Sequence, residues 1–468
     1  MLPQKAGSIM QASTTASLTD GLPRRERREA MAALLVAVAM ATLDTAVTNT
    51  ALPTIAGDLK SSGAAAIWVV NAYQLAMVAT LVPLAALGEI LGHRRVYIIG
   101  LVLFTATSLA CGFAWSLPSL VVARGLQGLG AAAVISVNAA LIRFVYPSSI
   151  LGRGVGLNAL VVALGFTLGP TVASGILAVT TWHWLFLINV PAGIIALLLS
   201  MRALPLTERA THAFDSIAAV LCAGFFTLLI LGLGGVSHGS AKTLIAGEWL
   251  AALACLYALM RRQAGHPAPM LAIDLLRLPI FALSTATAIC SFITQGLAFV
   301  ALPFLFQTVM AHSQVATGFL ITPWPAAVAI MAPIAGRLSD RYQAGLLGGF
   351  GLLILCVGMA TLASLPANPS DTTIVLSMTL CGVGFGFFQS PNLRALIASA
   401  PPGRSGGASG IVATARLLGQ TTGAALVALC LNISTEIGPV TALWLGSIFA
   451  AFGSLASFLR LAARKQPA

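Results

Sequence analysis

Charge is what this chain has least of. Asp, Glu, Lys and Arg together make up 8% of its 468 residues, and only 13 of them are acids. A soluble domain keeps roughly a quarter of its residues charged to hold its surface in water, so a water-borne enzyme is excluded. The ten-residue alternating segments of a transmembrane β-barrel are missing as well. There is no GxxxxGK[ST] segment, which argues against a nucleotide-driven pump. HExxH and close His/Cys sets are absent, so neither a metal nor any other cofactor is expected. The seven cysteines, Cys111, Cys222, Cys255, Cys290, Cys356, Cys381 and Cys430, show no metal-ligand spacing. They read as small packing residues. The net charge of +12 does not imply nucleic acid, because the basic residues come in ones and twos without interleaved aromatics.

What the chain has in excess is apolar sequence. Hydrophobic residues make up 58%, and the mean hydropathy is +0.94. Apolar stretches recur from Met31 to Leu461, each long enough to cross a hydrocarbon core of about 30 Å as a helix. The expected fold is an all-α transmembrane bundle of fourteen spans. They fall near 30–53, 65–87, 95–115, 118–142, 154–179, 183–203, 214–236, 243–260, 279–308, 314–335, 345–365, 372–398, 405–432 and 440–461.

The basic residues support an even count. With the N-terminus in the cytoplasm, Lys5, the cluster Arg24, Arg25, Arg27 and Arg28, and Arg94, Arg95, Arg143, Arg153, Arg202, Arg209, Arg261, Arg262 and Arg277 lie inside. So do Arg337, Arg341, Arg394, Arg404, Arg460, Arg464 and Lys465, while Lys60 and Lys242 fall outside. One span more or fewer would invert every later loop and destroy this positive-inside pattern. Residues 1–28 lack the apolar core of a signal peptide and read as a disordered cytoplasmic tail.

A weak repeat divides the spans. Leu87-Gly-Glu-Ile-Leu-Gly-His-Arg-Arg follows the second span, and Gly336-Arg-Leu-Ser-Asp-Arg follows the tenth. Two parallel six-helix halves result, at 29–210 and 266–468, with two inserted helices at 211–265. Repeated halves are a mark of secondary transporters, whose sites lie between them near the midplane.

Polar residues inside such spans are costly and functional by default. Asp44 lies about fifteen residues into the first span, roughly 22 Å from its cytoplasmic end. It is a candidate proton carrier or cation attractor; the alternative is an Asp satisfied by a neighbouring helix. Arg124-Gly-Leu-Gln-Gly-Leu-Gly opens the fourth span, and its Arg needs a partner, water or backbone carbonyls. Gly165, Gly169 and Ala173 stack on one face of the fifth span beside a helix-kinking Pro170. Asn49, Gln127, Gln295, Gln389 and Asn392 are cavity candidates, with Gln307 and the glycine run Gly382, Gly384 and Gly386 nearby. Asp44 reads as the only acid deep in a span. Arg416 sits mid-span in the thirteenth, either functional or bonded between helices. Glu89 with Arg94 and Arg95, and Asp340 with Arg337 and Arg341, could form a cytoplasmic latch or simply anchor the loops.

Together these segments resemble the fourteen-helix drug:proton antiporters of the major facilitator superfamily. The resemblance is carried by Leu43 to Pro53, by Arg124 to Gly130, by Gly165 to Pro170 and by Trp182-His-Trp-Leu-Phe-Leu-Ile-Asn-Val-Pro-Ala-Gly193. It implies a transporter of the cytoplasmic (inner) membrane rather than an enzyme, energised by a proton gradient. Its partners would be a small-molecule substrate, protons and lipid; nothing points to or against a periplasmic adaptor. Asp44 and Arg124 would take part in proton coupling, and Gly165, Gly169 and Pro170 would favour export. Departures exist: Ala85, Glu89 and Ile90 stand in the loop motif where the family has Gly, Asp and Arg. Without a second membrane acid, the substrate is expected to be cationic or neutral and amphipathic. A transporter of one metabolite, such as an organic acid or amino acid, is the alternative.

Overall fold

The computed structural model describes residues 21–207, 214–237, 241–264, 273–366, 368–399 and 405–463. Fourteen helices are long and apolar enough to cross a membrane. In chain order they are α1 (Arg24–Asp58), α2 (Gly63–Leu91), α3 (His93–Gly112), α4 (Leu117–Val145), α5 (Arg153–Val179), α6 (Trp184–Ala203) and α7 (Ser216–Gly235). They continue as α8 (Lys242–Arg262), α9 (Pro279–Val309), α10 (Gln314–Leu338), α11 (Ala344–Ala363), α12 (Asp371–Ser399), α13 (Gly410–Ile433) and α14 (Gly438–Ala462). The count of fourteen is the one expected. The joints expected at 210–211 and 265–266 lie outside the described residues.

The first boundary differs. α1 starts at Arg24, so residues 24–28 are its first turn rather than tail. Leu22 donates its backbone N–H to the Val145 carbonyl (3.1 Å) and packs on the core. An apolar residue before a helix finds a partner here, which a composition reading of a polar segment does not detect. Residues 1–20 lie outside the described set.

Local chemistry explains the turns. Ser116 and Ser119 form a reciprocal capping box at the start of α4, and Ser313 caps α10 at Ala316 (3.2 Å). Gly92, at φ +95°, is the single residue between α2 and α3; a Cβ is disfavoured in that region. Threonines hide their hydroxyls by bonding one turn back, as Thr48 does to the Asp44 carbonyl (2.7 Å). Pro303 precedes a π-helical turn at Leu305–Val309, which re-pairs backbone groups that a proline leaves free.

α1 to α6 form one half and α9 to α14 the other, and the two are built on the same glycines. Gly128 of α4 lets the Tyr73 carbonyl of α2 approach, as Gly382 of α12 does for the Trp324 carbonyl of α10. Gly130 crosses Gly100 of α3, and Gly384 crosses Gly351 of α11. Gly165 and Gly169 of α5 seat Thr42 and Ala46 of α1, and Gly419 and Gly423 of α13 seat the backbone of α9 at Ile289 and Ile293. Each of these α4/α12 and α5/α13 pairs is separated by 254 positions. The glycine run Gly382, Gly384 and Gly386 is packed in the same way, its missing side chains filled by neighbouring helices. The inserted α7 packs on α8, α2 and α13.

The end of the bundle where α1 begins is called basal here, and the other distal. Arg94, Arg95, Arg143, Arg202, Arg261, Arg262, Arg337 and Arg394 lie in helix turns at or near the basal end; Lys60 and Lys242 mark the distal end. The halves meet through four hydrogen bonds among the described residues. Thr171 and Thr322 share one (2.8 Å), Ser174 donates to the Gln314 carbonyl (2.8 Å), Gln307 to the Thr50 carbonyl (3.2 Å) and Thr421 to Gln74 (3.1 Å). The first three lie in the distal part of their helices, and the Thr421–Gln74 bond lies near the middle of the bundle beside the cleft. The distal region also holds Gly318 of α10 against Pro170 and Ser174 of α5, and Gly63 against Phe304 and Leu431.

Candidate functional site

Asp44 sits mid-way along α1 and is 2% exposed. Its Oδ2 accepts from Arg124 Nη1 at 2.5 Å. Its Oδ1 accepts from Gln127 Nε2 (3.0 Å) and from Asn189 Nδ2 (2.8 Å). The carboxylate is therefore held by α4 and α6 together. Arg124 and Gln127, three residues apart on α4, share a face, and Arg124 Nη1 also donates to Gln127 Oε1 (2.6 Å). Gln127 Nε2 further donates to Ser108 (2.8 Å). Arg124 Nε reaches the Val69 carbonyl of α2 (3.1 Å), and the guanidinium carbon lies 4.2 Å from the Tyr73 ring centroid and 5.5 Å from that of Phe186.

A charge pair this dry survives only with its remaining polar atoms satisfied, and Gln127, Asn189 and Val69 do that. Of the two alternatives for Asp44, the structure shows an Asp satisfied by neighbouring helices. Gln127 is corrected from cavity lining to part of this network. Asn189 was missed. The short helix Trp184–Leu187 gives way at Ile188 to Asn189–Ala203, which turns the Asn side chain inward. Its one sequence signal was Asn-Val-Pro at a helix start.

Beside this network, between the halves, runs a narrow cleft in which polar side chains are set among apolar ones. It is lined by Thr45, Asn49, Gln74, Gln295, Phe299 and Gln420 among others. Gln420 donates to Gln295 Oε1 (2.9 Å). Asn49 is 8% exposed, and its Oδ1 has no hydrogen-bond partner among the described residues. Asn49 and Gln295, two of the cavity candidates, both line this cleft. Gln389 is half-buried on α12, apart from the cleft lining.

Asn392 is not a cavity residue. Its Oδ1 accepts from Arg460 Nη1 (2.7 Å), and its Nδ2 donates to the Ser284 carbonyl (3.2 Å). Arg460 is buried, and it also bonds Ser284 Oγ (3.0 Å) and Ser457. It had been counted as a loop anchor; instead it ties α14 to α9 and α12. Arg460→Met strands these acceptors, at about 1–3 kcal/mol. The expected result is a lower melting temperature in detergent, with a smaller further loss on adding Asn392→Leu because both changes break one network. Additive losses would show that the pairing is incidental.

The latch also needs correction. Asp340 pairs with Arg394 of α12, a residue from another helix, rather than with Arg337 or Arg341 beside it. Side chains adjacent in a loop point apart, whereas α10 and α12 are packed neighbours. Arg94 donates to the Met201 carbonyl (2.5 Å) and so ties α3 to α6; Arg95 opens the same helix as Arg94, and Glu89 closes α2. A second intramembrane acid exists too: Glu248, six residues past Lys242 in α8. It is half-buried, and its Oε2 is unbonded among the described residues. It lies on the inserted hairpin, away from the cleft.

The Gly165, Gly169 and Pro170 segment works on two sides. The glycines let α1 approach, bringing Thr42 and Ala46 close. Pro170 and Ser174 meet Gly318 and Gln314 of the other half.

Two repeated six-helix halves that meet at the distal end around a narrow cleft, with a buried ion pair inside the first half, define a multi-pass membrane transporter. The particular family follows from comparison. Residues 34–424 match the family model of the Major Facilitator Superfamily, and the chain belongs to it. It is 50% identical over 444 residues to the uncharacterized transporter YebQ of Escherichia coli (strain K12), covering 94% of this chain and 97% of that protein. It is 32% identical to the multidrug resistance protein Stp of Mycobacterium tuberculosis, over 86% and 74% of the two chains. The solved structure of a bacterial homolog to the human lysosomal transporter Spinster, inward-facing and unoccupied, matches with a TM-score of 0.68 at 16% identity, covering 96% of this chain and all of that one. Members of the superfamily are transport proteins acting on small molecules in a lipid bilayer.

Proposed function

We propose that this chain exports amphipathic small molecules across the cytoplasmic membrane in exchange for inward-moving protons. Both termini and the basal end face the cytoplasm in this reading, in keeping with the basic residues gathered there. The observation that supports it best is the Asp44–Arg124 pair, buried at 2.5 Å beside the inter-half cleft.

A proton on Asp44 would remove the charge that holds Arg124. Arg124 also grips α2, through the Val69 carbonyl and the Tyr73 ring. The same helix carries Gln74, which bonds across the interface to Thr421. Protonation therefore acts on a helix that takes part in the contact between the halves, and this is a physical route from proton to gate. The export direction draws on the likeness to Stp, a multidrug resistance protein, and on Pro170 placed at the interface.

The test is proton movement in inside-out vesicles carrying the protein. They are energised with a proton gradient, aromatic probes of each charge type are added, and a pH dye reports the gradient. At least one probe is expected to release protons in these vesicles and none in vesicles without the protein. Silence with every probe would overturn proton-coupled export.

A further inference from the structure

Arg416 is an intramembrane arginine without the partner Arg124 has. Its helix extends back past the span's start at Gly410 to Ser405, so it lies about eleven residues, roughly 17 Å, from the basal start of that helix. It shares a helix face with Ala413, three residues before, and Gln420, four after. That face looks at the other half: Ala413 and the adjacent Leu417 pack in the cluster that holds Tyr73 and Met77 of α2. Gln420 lines the cleft. The Arg416 guanidinium lies within electrostatic reach of the Tyr73 hydroxyl. Among the described residues, no Asp or Glu pairs with it and no hydrogen bond fixes it.

The charge balance of the inter-half face follows. Asp44 is spent on Arg124. Asn49, Gln74, Gln295 and Gln420 are neutral. Arg416 therefore leaves this face with a surplus of one positive charge, one helical turn basal of the cleft. A half-buried guanidinium without a counter-charge is a ready partner for an anion that enters beside it. The cleft adds two features: the aromatic rings of Phe166 and Phe299, and the unbonded acceptor Oδ1 of Asn49.

We propose that Arg416 receives the anionic group of the substrate, which is an aromatic organic anion bearing a carboxylate, sulfonate or phosphate. Its ring would lie against Phe166 and Phe299, and an N–H or O–H donor on it would meet Asn49. This reverses the sign expected from the sequence, where Asp44 was a candidate cation attractor. The proposal rests on the transport reading above, but its test does not use proton movement.

The experiment is equilibrium dialysis of the purified full chain in neutral detergent with three probes of one shape: 2-naphthalenesulfonate, 2-naphthyltrimethylammonium and 2-naphthalenemethanol. Wild type is expected to bind the sulfonate at least tenfold more tightly than the ammonium. Arg416→Gln should erase that preference, and Arg416→Lys should restore much of it, since the charge and not the fold is then varied. Neutral-probe affinity, unchanged in both variants, checks that the site is intact. Equal or tighter binding of the ammonium by wild type would overturn the proposal, as would sulfonate binding in Arg416→Gln at wild-type strength. Charge-selective binding without proton release in vesicles would instead fail the export reading and leave this assignment standing.

Discussion

Asp44→Asn abolishes substrate-evoked proton release, and it also destabilises the protein unless Arg124 is neutralised with it. The side chain keeps its shape, so lost packing is not the cause. An amide cannot carry the transported proton, and its NH2 would face the donors of Arg124 where Oδ2 now accepts at 2.5 Å. Breaking one side of a buried pair leaves an uncompensated charge, at about 3–5 kcal/mol. The double variant Asp44→Asn with Arg124→Met removes that charge and should recover most of the lost melting temperature in detergent. It should recover none of the proton release. Both readings are needed, because a single inactive variant cannot separate coupling from folding. Proton release by Asp44→Asn at the wild-type level would end the coupling assignment. A double variant no more stable than the single one would show that the two charges do not depend on each other.

Asp44 and Arg124 were legible from sequence because a membrane makes ionisable residues conspicuous. Their pairing was not, since it joins residues 80 positions apart through the way α1 and α4 pack. Gln127 was seen but misassigned. Spacing placed it on the Arg124 face, and nothing in spacing says whether an amide on that face meets water or a carboxylate. Asn392 and Arg460 show the same limit from the other side: each satisfies its neighbour, so a polar residue that suggested a cavity marks a packed joint. The fourteen spans were readable from apolar length and basic residues, and the division into halves rested on the loop repeat at Leu87 and Gly336. The glycine crossings that build both halves were half-read, because Gly165 and Gly169 stand beside a proline while Gly419 and Gly423 have no such flag. The Asn189 contact joins residues 145 positions apart through the way α6 packs on α1, and it leaves no periodic trace.

Gly318→Val is the substitution expected to trap the cycle. Gly318 belongs to α10 of one half and meets α5 of the other, where an added Cβ would stand 2.5 Å from the Pro170 carbonyl oxygen and against the Ser174 side chain. A backbone carbonyl on a packed helix cannot swing aside as a long side chain would. Overpacking of this kind costs about 1–3 kcal/mol, and the cost falls only on the state in which the distal ends touch. At about 1.4 kcal/mol per factor of ten, the equilibrium moves roughly 5- to 150-fold toward a distally open form. Export should fall by at least tenfold while the protein still reaches the membrane. A reporter lies close by: the Thr171 and Thr322 hydroxyls, 2.8 Å apart across the same contact. Cysteines at those two positions should cross-link readily in the parent and poorly beside Gly318→Val. Gly175, next to Ser174, has nothing within 4 Å of its added Cβ, so Gly175→Val should leave both cross-linking and export near the parent level. If Gly318→Val cross-links as well as the parent, the distal contact does not depend on that small residue, and closure must be carried by Gln74, Thr421, Gln307 and Thr50 instead. If Gly175→Val fails equally, the loss reflects general intolerance of bulk on these helices and not a gate at Gly318.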